Sequence, residues 1–191
     1  MIDCREHNGC FNADKNCHLY RLDFWLPKGM IFIKGECMTV LIPELVKMDG
    51  FSIVGLKVRT KNENELNPET AQIHQLWEQF FTDKIMSQNP ESAMYGVYSD
   101  YESDCNGLYT VTAGVQAKDD SVESTLSTVA VKEGEYLVFK NSGEIPQVIY
   151  ETWQIIWAYF SSHPELTRAY DTDFELCSGA NDCAIYIGIK K

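Results

Sequence analysis

The feature that most constrains this chain is one order of secondary-structure signals that occurs twice. The first copy has a strand pattern over residues 51–59, a helix that begins at Asn67-Pro68, and a hairpin pattern over residues 95–115. The second copy repeats that order with a strand, a helix and two paired strands: 136–139, a helix opened by Pro146, 173–176 and 184–189. A duplicated unit predicts two similar halves.

The duplication predicts an α+β fold with six to eight strands and two principal helices. We expect the halves, about 41–117 and 128–191, to form one antiparallel sheet with a cleft between them. Residues 117–128 are polar and rich in Ser and Thr, as a linker would be. Residues 1–40 lack the repeat and form an N-terminal extension of uncertain structure.

The N-terminal extension contains a cluster of potential metal ligands, Cys4, His7, Cys10 and Cys17. Structural zinc requires four such ligands in tetrahedral reach. The spacing matches no standard zinc finger, and the alternative is a set of idle or buried thiols. We expect neither a bound metal nor a cofactor.

Charge and hydropathy exclude several classes of protein. The formal net charge is −12, and such a field repels phosphate backbones, so direct nucleic-acid binding is not expected. No apolar run approaches the roughly 20 residues of a membrane helix, and the first residues do not resemble a signal peptide. The sequence therefore predicts a cytoplasmic protein without a membrane partner.

Alternation along the strands predicts two faces of the sheet. We expect Val97, Phe174 and the other apolar strand residues to lie under the helices, and polar and aromatic residues to share the opposite face. The apolar set is Val97, Val111, Val115, Phe174, Ile185, Ile187 and Ile189, and the other set is Tyr98, Thr110, Thr112, Glu175 and Tyr186. A carboxylate among aromatic rings suits an organic cation, because cation–π attraction adds about 0.5–2 kcal/mol for each ring.

Four segments in this order resemble the GyrI-like small-molecule-binding family: 51–60, 95–102, 109–115 and 173–176. That family comprises the effector-binding domains of AraC-type and multidrug-sensing transcription regulators, and the module also occurs alone. The resemblance covers roughly residues 40–190 and implies two pseudo-symmetric halves with a ligand cleft. It places the family's glutamate at Glu175. It assigns ligand-contacting aromatics to Tyr98, Trp153 and Tyr186, and less directly to Tyr101, Tyr150 and Phe174.

Two alternatives to a small-molecule sensor remain open. A branch of the resembled family hydrolyses cyclopropane-bearing alkylating compounds, in which case Glu175 would be catalytic. No nucleophile motif supports any other enzyme class. A protein-interaction module without a ligand is the second alternative. Residues 1–40 show no pair of amphipathic helices, so the DNA-binding domain of the resembled regulators is not carried over.

Overall fold

A computed structural model describes residues 41–83, 85, 92–117, 126–179 and 181–190, and it also describes the backbone of four short strands before residue 40. Those strands form two antiparallel hairpins. The first pairs β1 (His7–Asn8) with β2 (Cys10–Phe11), and the second pairs β3 (Met30–Ile33) with β4 (Glu36–Thr39).

The remaining strands form one antiparallel sheet of eight strands, and the described residues include three helices. The strands are β5 (Glu44–Met48), β6 (Phe51–Thr60), β7 (Met94–Ser99), β8 (Tyr109–Gln116), β9 (Ser127–Val131), β10 (Gly134–Ser142), β11 (Asp173–Ser178) and β12 (Asp182–Gly188). The helices are α1 (Asn62–Glu65), α2 (Ile73–Thr82) and α3 (Gln147–Ser162). The predicted α+β class is confirmed.

The sheet has the same strand order when it is read from either edge. The order is β5-β10-β12-β11-β7-β8-β6-β9. If each strand is replaced by its equivalent in the other half, the same order is obtained, read from the opposite edge. The register agrees, because Tyr98 pairs with Val111 as Glu175 pairs with Ile185. Strands β7 and β11 therefore meet at a pseudo-two-fold axis. Each half also contributes an edge strand to the other half, since β5 pairs with β10 and β9 pairs with β6.

Helices α2 and α3 cover one face of this sheet. Leu76 and Phe80 of α2 and Ile156 of α3 are buried against Ile185 and other residues of the central strands. The 3.6-residue repeat of apolar positions explains this packing. Pro146 directly precedes α3, as predicted. Among the residues described, no helix combines the length and the apolar character that a bilayer crossing requires.

Helix α2 begins later than the sequence predicts. Its first residue is Ile73, whereas Asn67-Pro68 was expected to open it. The Asn67 side chain instead accepts a hydrogen bond from the Glu69 amide at 3.0 Å, a local turn that competes with helix formation. The carboxylate of Glu65 then accepts the amides of Gln72 and Ile73, both at 3.1 Å. The helix starts where this acidic acceptor from the preceding element satisfies its free amides.

The opposite face of the sheet is also buried, and this makes part of the predicted face assignment wrong. Val97 and Phe174 belong to a second apolar cluster on that face, whereas Tyr98 and Glu175 lie on the helix face. The pairing of Glu175 with Ile185 sets this geometry, because directly paired residues project from the same face. Other members were assigned correctly: Val111, Val115, Ile185, Ile187 and Ile189 pack on the helix side, and Tyr186 lies opposite.

Candidate functional site

A buried carboxylate lies at the centre of the helix-covered face. Glu175 of β11 is only 3% exposed. Its Oε1 accepts a hydrogen bond from the Tyr98 hydroxyl at 2.7 Å and another from the Trp153 indole N–H at 2.6 Å. Burial raises the pKa of Glu175 above its ordinary value, while the two donated hydrogen bonds act in the opposite direction. Within the described residues this carboxylate has no salt-bridge partner.

The second oxygen of Glu175 faces a glycine. Gly96 lies directly across from Glu175 in β7, and a Cβ placed there would lie 3.0 Å from Oε2 and 3.2 Å from Trp77 Cζ2. No described residue donates a hydrogen bond to Oε2. The glycine therefore keeps space beside this oxygen and the Trp77 ring.

This space is part of a cavity of about 680 Å³ between α2 and α3, here called the interhelix cavity. Trp77 and Trp153 line it from the two helices, Tyr98 and Glu175 from the sheet. Tyr150, which is 38% exposed, also lines it. The volume and the mostly apolar lining are typical of small-molecule sites, which contain few but specific polar groups.

The helical lining repeats the internal duplication of the chain. Ile73, His74 and Trp77 of α2 recur 76 residues later as Ile149, Tyr150 and Trp153 of α3, and all six line the cavity. The cavity therefore lies on the pseudo-two-fold axis. Sequence reasoning identified Trp153 but missed Trp77, although aligning the two predicted helices by the repeat would have found it.

The structure brings together four of the seven predicted ligand contacts and separates the others. Glu175, Tyr98, Trp153 and Tyr150 all line the interhelix cavity. Phe174 and Tyr186 lie on the opposite face, where their rings stack with centroids 4.3 Å apart. They line no part of the interhelix cavity.

Tyr101, the seventh predicted contact, belongs to a neighbouring buried network. Its hydroxyl donates to Asp173 Oδ2 at 2.8 Å, and Arg168 Nη2 donates to the same oxygen at 2.5 Å. The Gly188 amide donates to Asp173 Oδ1 at 2.9 Å. Burial is the largest single influence and acts to lower the pKa of Arg168. The charge of Asp173, the neighbouring Tyr101 and Tyr170, and the hydrogen bond to Asp173 together outweigh it, so the pKa is raised. The guanidinium lies 5.7 Å from the Trp153 ring centroid, so it packs beside a cavity-lining residue.

The structure gives no information on the side chains of the potential zinc ligands of the N-terminal extension. The side chains of Cys4, His7, Cys10 and Cys17 lie outside the described residues. In the part of the chain that is described, no three His, Cys, Asp or Glu side chains are grouped closely enough to hold a metal ion.

The chain is similar to several known proteins over this domain. It is 28% identical over 158 residues to YobU of Bacillus subtilis (strain 168), whose name suggests a transcriptional regulator; the match covers 77% of this chain and 97% of YobU. An integron cassette protein from the mobile metagenome of Vibrio cholerae superposes with a TM-score of 0.72 at 36% identity, covering 78% of this chain and 95% of that one.

A more distant structure has the same fold. The structure of SAV2435 bound to tetraphenylphosphonium superposes with a TM-score of 0.62 at 16% identity, covering 78% of this chain and 94% of that one. The model of the Cass2 family, described as integron-associated effector binding protein, matches residues 44–189. This chain therefore belongs to the Cass2 family of integron-associated effector binding proteins.

Proposed function

We propose that the interhelix cavity binds a small aromatic cation and that Glu175 is its counter-charge. The observation that carries this proposal is a buried carboxylate with one oxygen held by two donors and the other left without a described donor. A fully buried charge without an opposite charge is costly. A bound cation would supply the missing partner and would lower the raised pKa of Glu175.

The two donors to Oε1 position the carboxylate rather than neutralise it. Tyr98 and Trp153 each donate one hydrogen bond and carry no charge, so the acidic group keeps its full attraction for a cation. Their rings pack edge to face with centroids 5.2 Å apart, which restricts both side chains. The arrangement is therefore preorganised, and binding need not order these groups.

Aromatic rings supply the rest of the attraction. Trp77 and Trp153 come from opposite helices, and Tyr150 and Phe81 also line the cavity. Ring faces near a cation add about 0.5–2 kcal/mol each, and the apolar area favours a ligand whose charge is surrounded by hydrocarbon. The structure of SAV2435, which shares this fold, is bound to tetraphenylphosphonium, a cation of that kind. YobU is named as a transcriptional regulator, and we therefore extend the proposal to a role for this chain as the sensor of a regulatory system.

Hydrolysis at the same glutamate is the competing proposal. It would require Glu175, or a water that it holds, to move a proton near the reacting bond. Among the described residues that line the cavity, the acids and bases apart from Glu175, the tyrosines and Cys177 are His74 and Glu78. Their side chains are 82% and 65% exposed and pair with each other. This supports binding without turnover. Incubation with a cyclopropane-bearing alkylator, read by mass spectrometry, tests it: a ring-opened product gaining water would favour the hydrolase.

Titration calorimetry with tetraphenylphosphonium tests the proposed function. Glu175→Gln keeps the shape and an acceptor for Tyr98 and Trp153 but removes the charge, so we expect affinity to fall tenfold or more. Glu151→Gln is the matched control, because Glu151 is an exposed residue of α3 that accepts a hydrogen bond from Gln147.

A ligand of matched shape separates charge from hydrophobic contact. Tetraphenylborate has the same four phenyl rings but the opposite charge, and wild-type protein should bind it far more weakly. Equal affinity of wild type and Glu175→Gln for tetraphenylphosphonium would refute Glu175 as the counter-charge. Equal affinity of wild type for the two ligands would show that the cavity does not select charge.

A further inference from the structure

We propose that a second cavity, on the sheet face opposite α2 and α3, binds a small polar molecule through a carboxylate or phosphate group. This rear cavity has a volume of about 400 Å³ and is lined by parts of β6, β7, β8 and β9 and by residues 170–172. It shares no lining residue with the interhelix cavity. The proposal is thus independent of the cation site.

The lining of the rear cavity includes two buried hydroxyls whose hydrogen-bonding capacity is unused. Ser99 and Thr112 are 4% and 1% exposed, and their Oγ atoms have no partner among the described residues. Buried polar atoms in native proteins are nearly always paired, so each exception needs an explanation. Rotation about χ1 can turn such a hydroxyl toward the cavity, where a ligand oxygen would accept its hydrogen.

Positive charge lies beside these hydroxyls. Lys57 pairs directly with Thr112 across β6 and β8, so both side chains project from the same face. Its ammonium makes no ion pair within the described residues. In the next row, Arg59 Nη1 donates to Thr110 Oγ1 at 3.2 Å and to the Asp100 carbonyl at 2.5 Å. Two cations and a row of hydroxyls on one face form the donor set that an oxyanion requires.

The charged residues in and directly beside this cavity, Arg59 included, leave a positive excess. Asp171 is paired with Lys132 at 2.7 Å, so its charge is already compensated. Among the described lining residues, Asp100 is then the remaining carboxylate and Lys57 the remaining cation. Arg59, which donates to the lining residues Thr110 and Asp100, adds a second cation beside the cavity. This local excess stands out in a chain with a formal net charge of −12, and it favours an oxyanion over a cation or a neutral polyol.

The backbone around the rear cavity is held in an uncommon conformation. Asp100 and Tyr170 line it, and they are the non-glycine residues with positive φ in the described part of the chain, at 50° and 54°. Left-handed non-glycine residues are strained and persist where the surroundings fix them, often at ligand sites. Both therefore point to a cavity wall whose shape is maintained.

Nuclear magnetic resonance titration of the intact chain with three probes tests this site. Glycerol 3-phosphate carries an oxyanion and hydroxyls, glycerol carries hydroxyls alone, and serine is a zwitterion. We expect glycerol 3-phosphate to shift the amide signals of Ser99 and Thr112, and glycerol to leave them unmoved. Lys57→Met should weaken glycerol 3-phosphate tenfold or more. Lys47→Met is the control, because Lys47 is an exposed lysine of β5 on the helix-side face; this change should leave glycerol 3-phosphate affinity unaltered.

A second variant guards against an effect of charge alone. Thr112→Val keeps the shape and removes the unpaired hydroxyl, so it should weaken glycerol 3-phosphate severalfold without lowering the stability of the fold. Neither Lys57→Met nor Thr112→Val should alter tetraphenylphosphonium binding. The proposal is overturned by the absence of saturation at about 10 mM glycerol 3-phosphate, by shifts scattered over unrelated lysines, or by glycerol binding equally well. Saturable binding of serine would support it, because serine also carries an oxyanion.

Discussion

Tyr98 and Glu175 occupy equivalent positions in the two halves of the sheet and hydrogen-bond to each other at 2.7 Å across the pseudo-two-fold axis. An identical residue in both halves would bring two carboxylates together, and one of them would be forced to take up a proton. The tyrosine avoids this. Burial first, and then the charge of Glu175, raises the pKa of Tyr98 well above its ordinary value, so it remains a neutral donor. The two equivalent positions thus carry a single acid.

Cation binding should weaken as the solution becomes more acidic. The raised pKa of Glu175 means that protonation begins at a higher pH than for an exposed glutamate. Only the charged form attracts tetraphenylphosphonium, a cation that does not titrate. Affinity should therefore fall as pH decreases through this raised pKa, approaching about tenfold for each pH unit below it. Calorimetry between pH 4 and 8 measures the effect.

The same series in Glu175→Gln isolates this carboxylate. Tetraphenylphosphonium binding to Glu175→Gln should be weak and nearly independent of pH. A residual dependence on pH would show that a group other than Glu175 controls the binding.

Glu175→Gln should gain stability relative to wild type as pH rises. The folded chain holds the Glu175 proton more tightly than the unfolded chain, for which the reference pKa is 4.5. The favourable contribution of Glu175 is therefore fully present below that value and is lost as pH rises through the raised folded pKa. Urea unfolding at several pH values should show the variant overtaking wild type toward neutral pH. Glu151→Gln should show no such trend, and a constant difference between wild type and Glu175→Gln would contradict the linkage.

Gly96→Ala should reduce cation affinity severalfold while the fold remains intact. The added methyl would lie 3.0 Å from Glu175 Oε2 and 3.2 Å from Trp77 Cζ2, so it occupies space beside the free oxygen and pushes the indole outward. Gly134→Ala is the matched control, because a Cβ there meets no atom within 4 Å. Circular dichroism checks the fold and calorimetry the binding. Unchanged affinity in Gly96→Ala would mean that the cation does not approach this oxygen.

Asp173→Asn should destabilise the fold by about 3–5 kcal/mol, the usual cost of removing one partner from a buried ion pair. The change leaves Arg168, which is 7% exposed, without its counter-charge. Lys132→Met breaks the exposed pair with Asp171 and should cost no more than about 1 kcal/mol. Denaturant unfolding compares them. Similar small losses in both variants would show that the Arg168–Asp173 pair adds little.

Part of the candidate site could be predicted from the sequence because the duplication is visible in local sequence patterns. Strand, helix and hairpin patterns depend on residues close together in the chain, and the repeat aligned Tyr98 with Glu175. The resemblance to a known family then placed seven residues in one cleft. Glu175, Tyr98, Trp153 and Tyr150 line the interhelix cavity, whereas Tyr101, Phe174 and Tyr186 do not.

What only the tertiary structure decided is which side of the sheet these residues occupy. Alternation separates Phe174 from Glu175, but it does not say which of them meets the helices. Hydrophobicity misleads here because both faces are buried: Phe174 packs in the core opposite the helices, while Glu175 lies beneath Trp153. The choice depends on the pairing of Glu175 with Ile185 and Gly96, contacts between strands that no local pattern encodes.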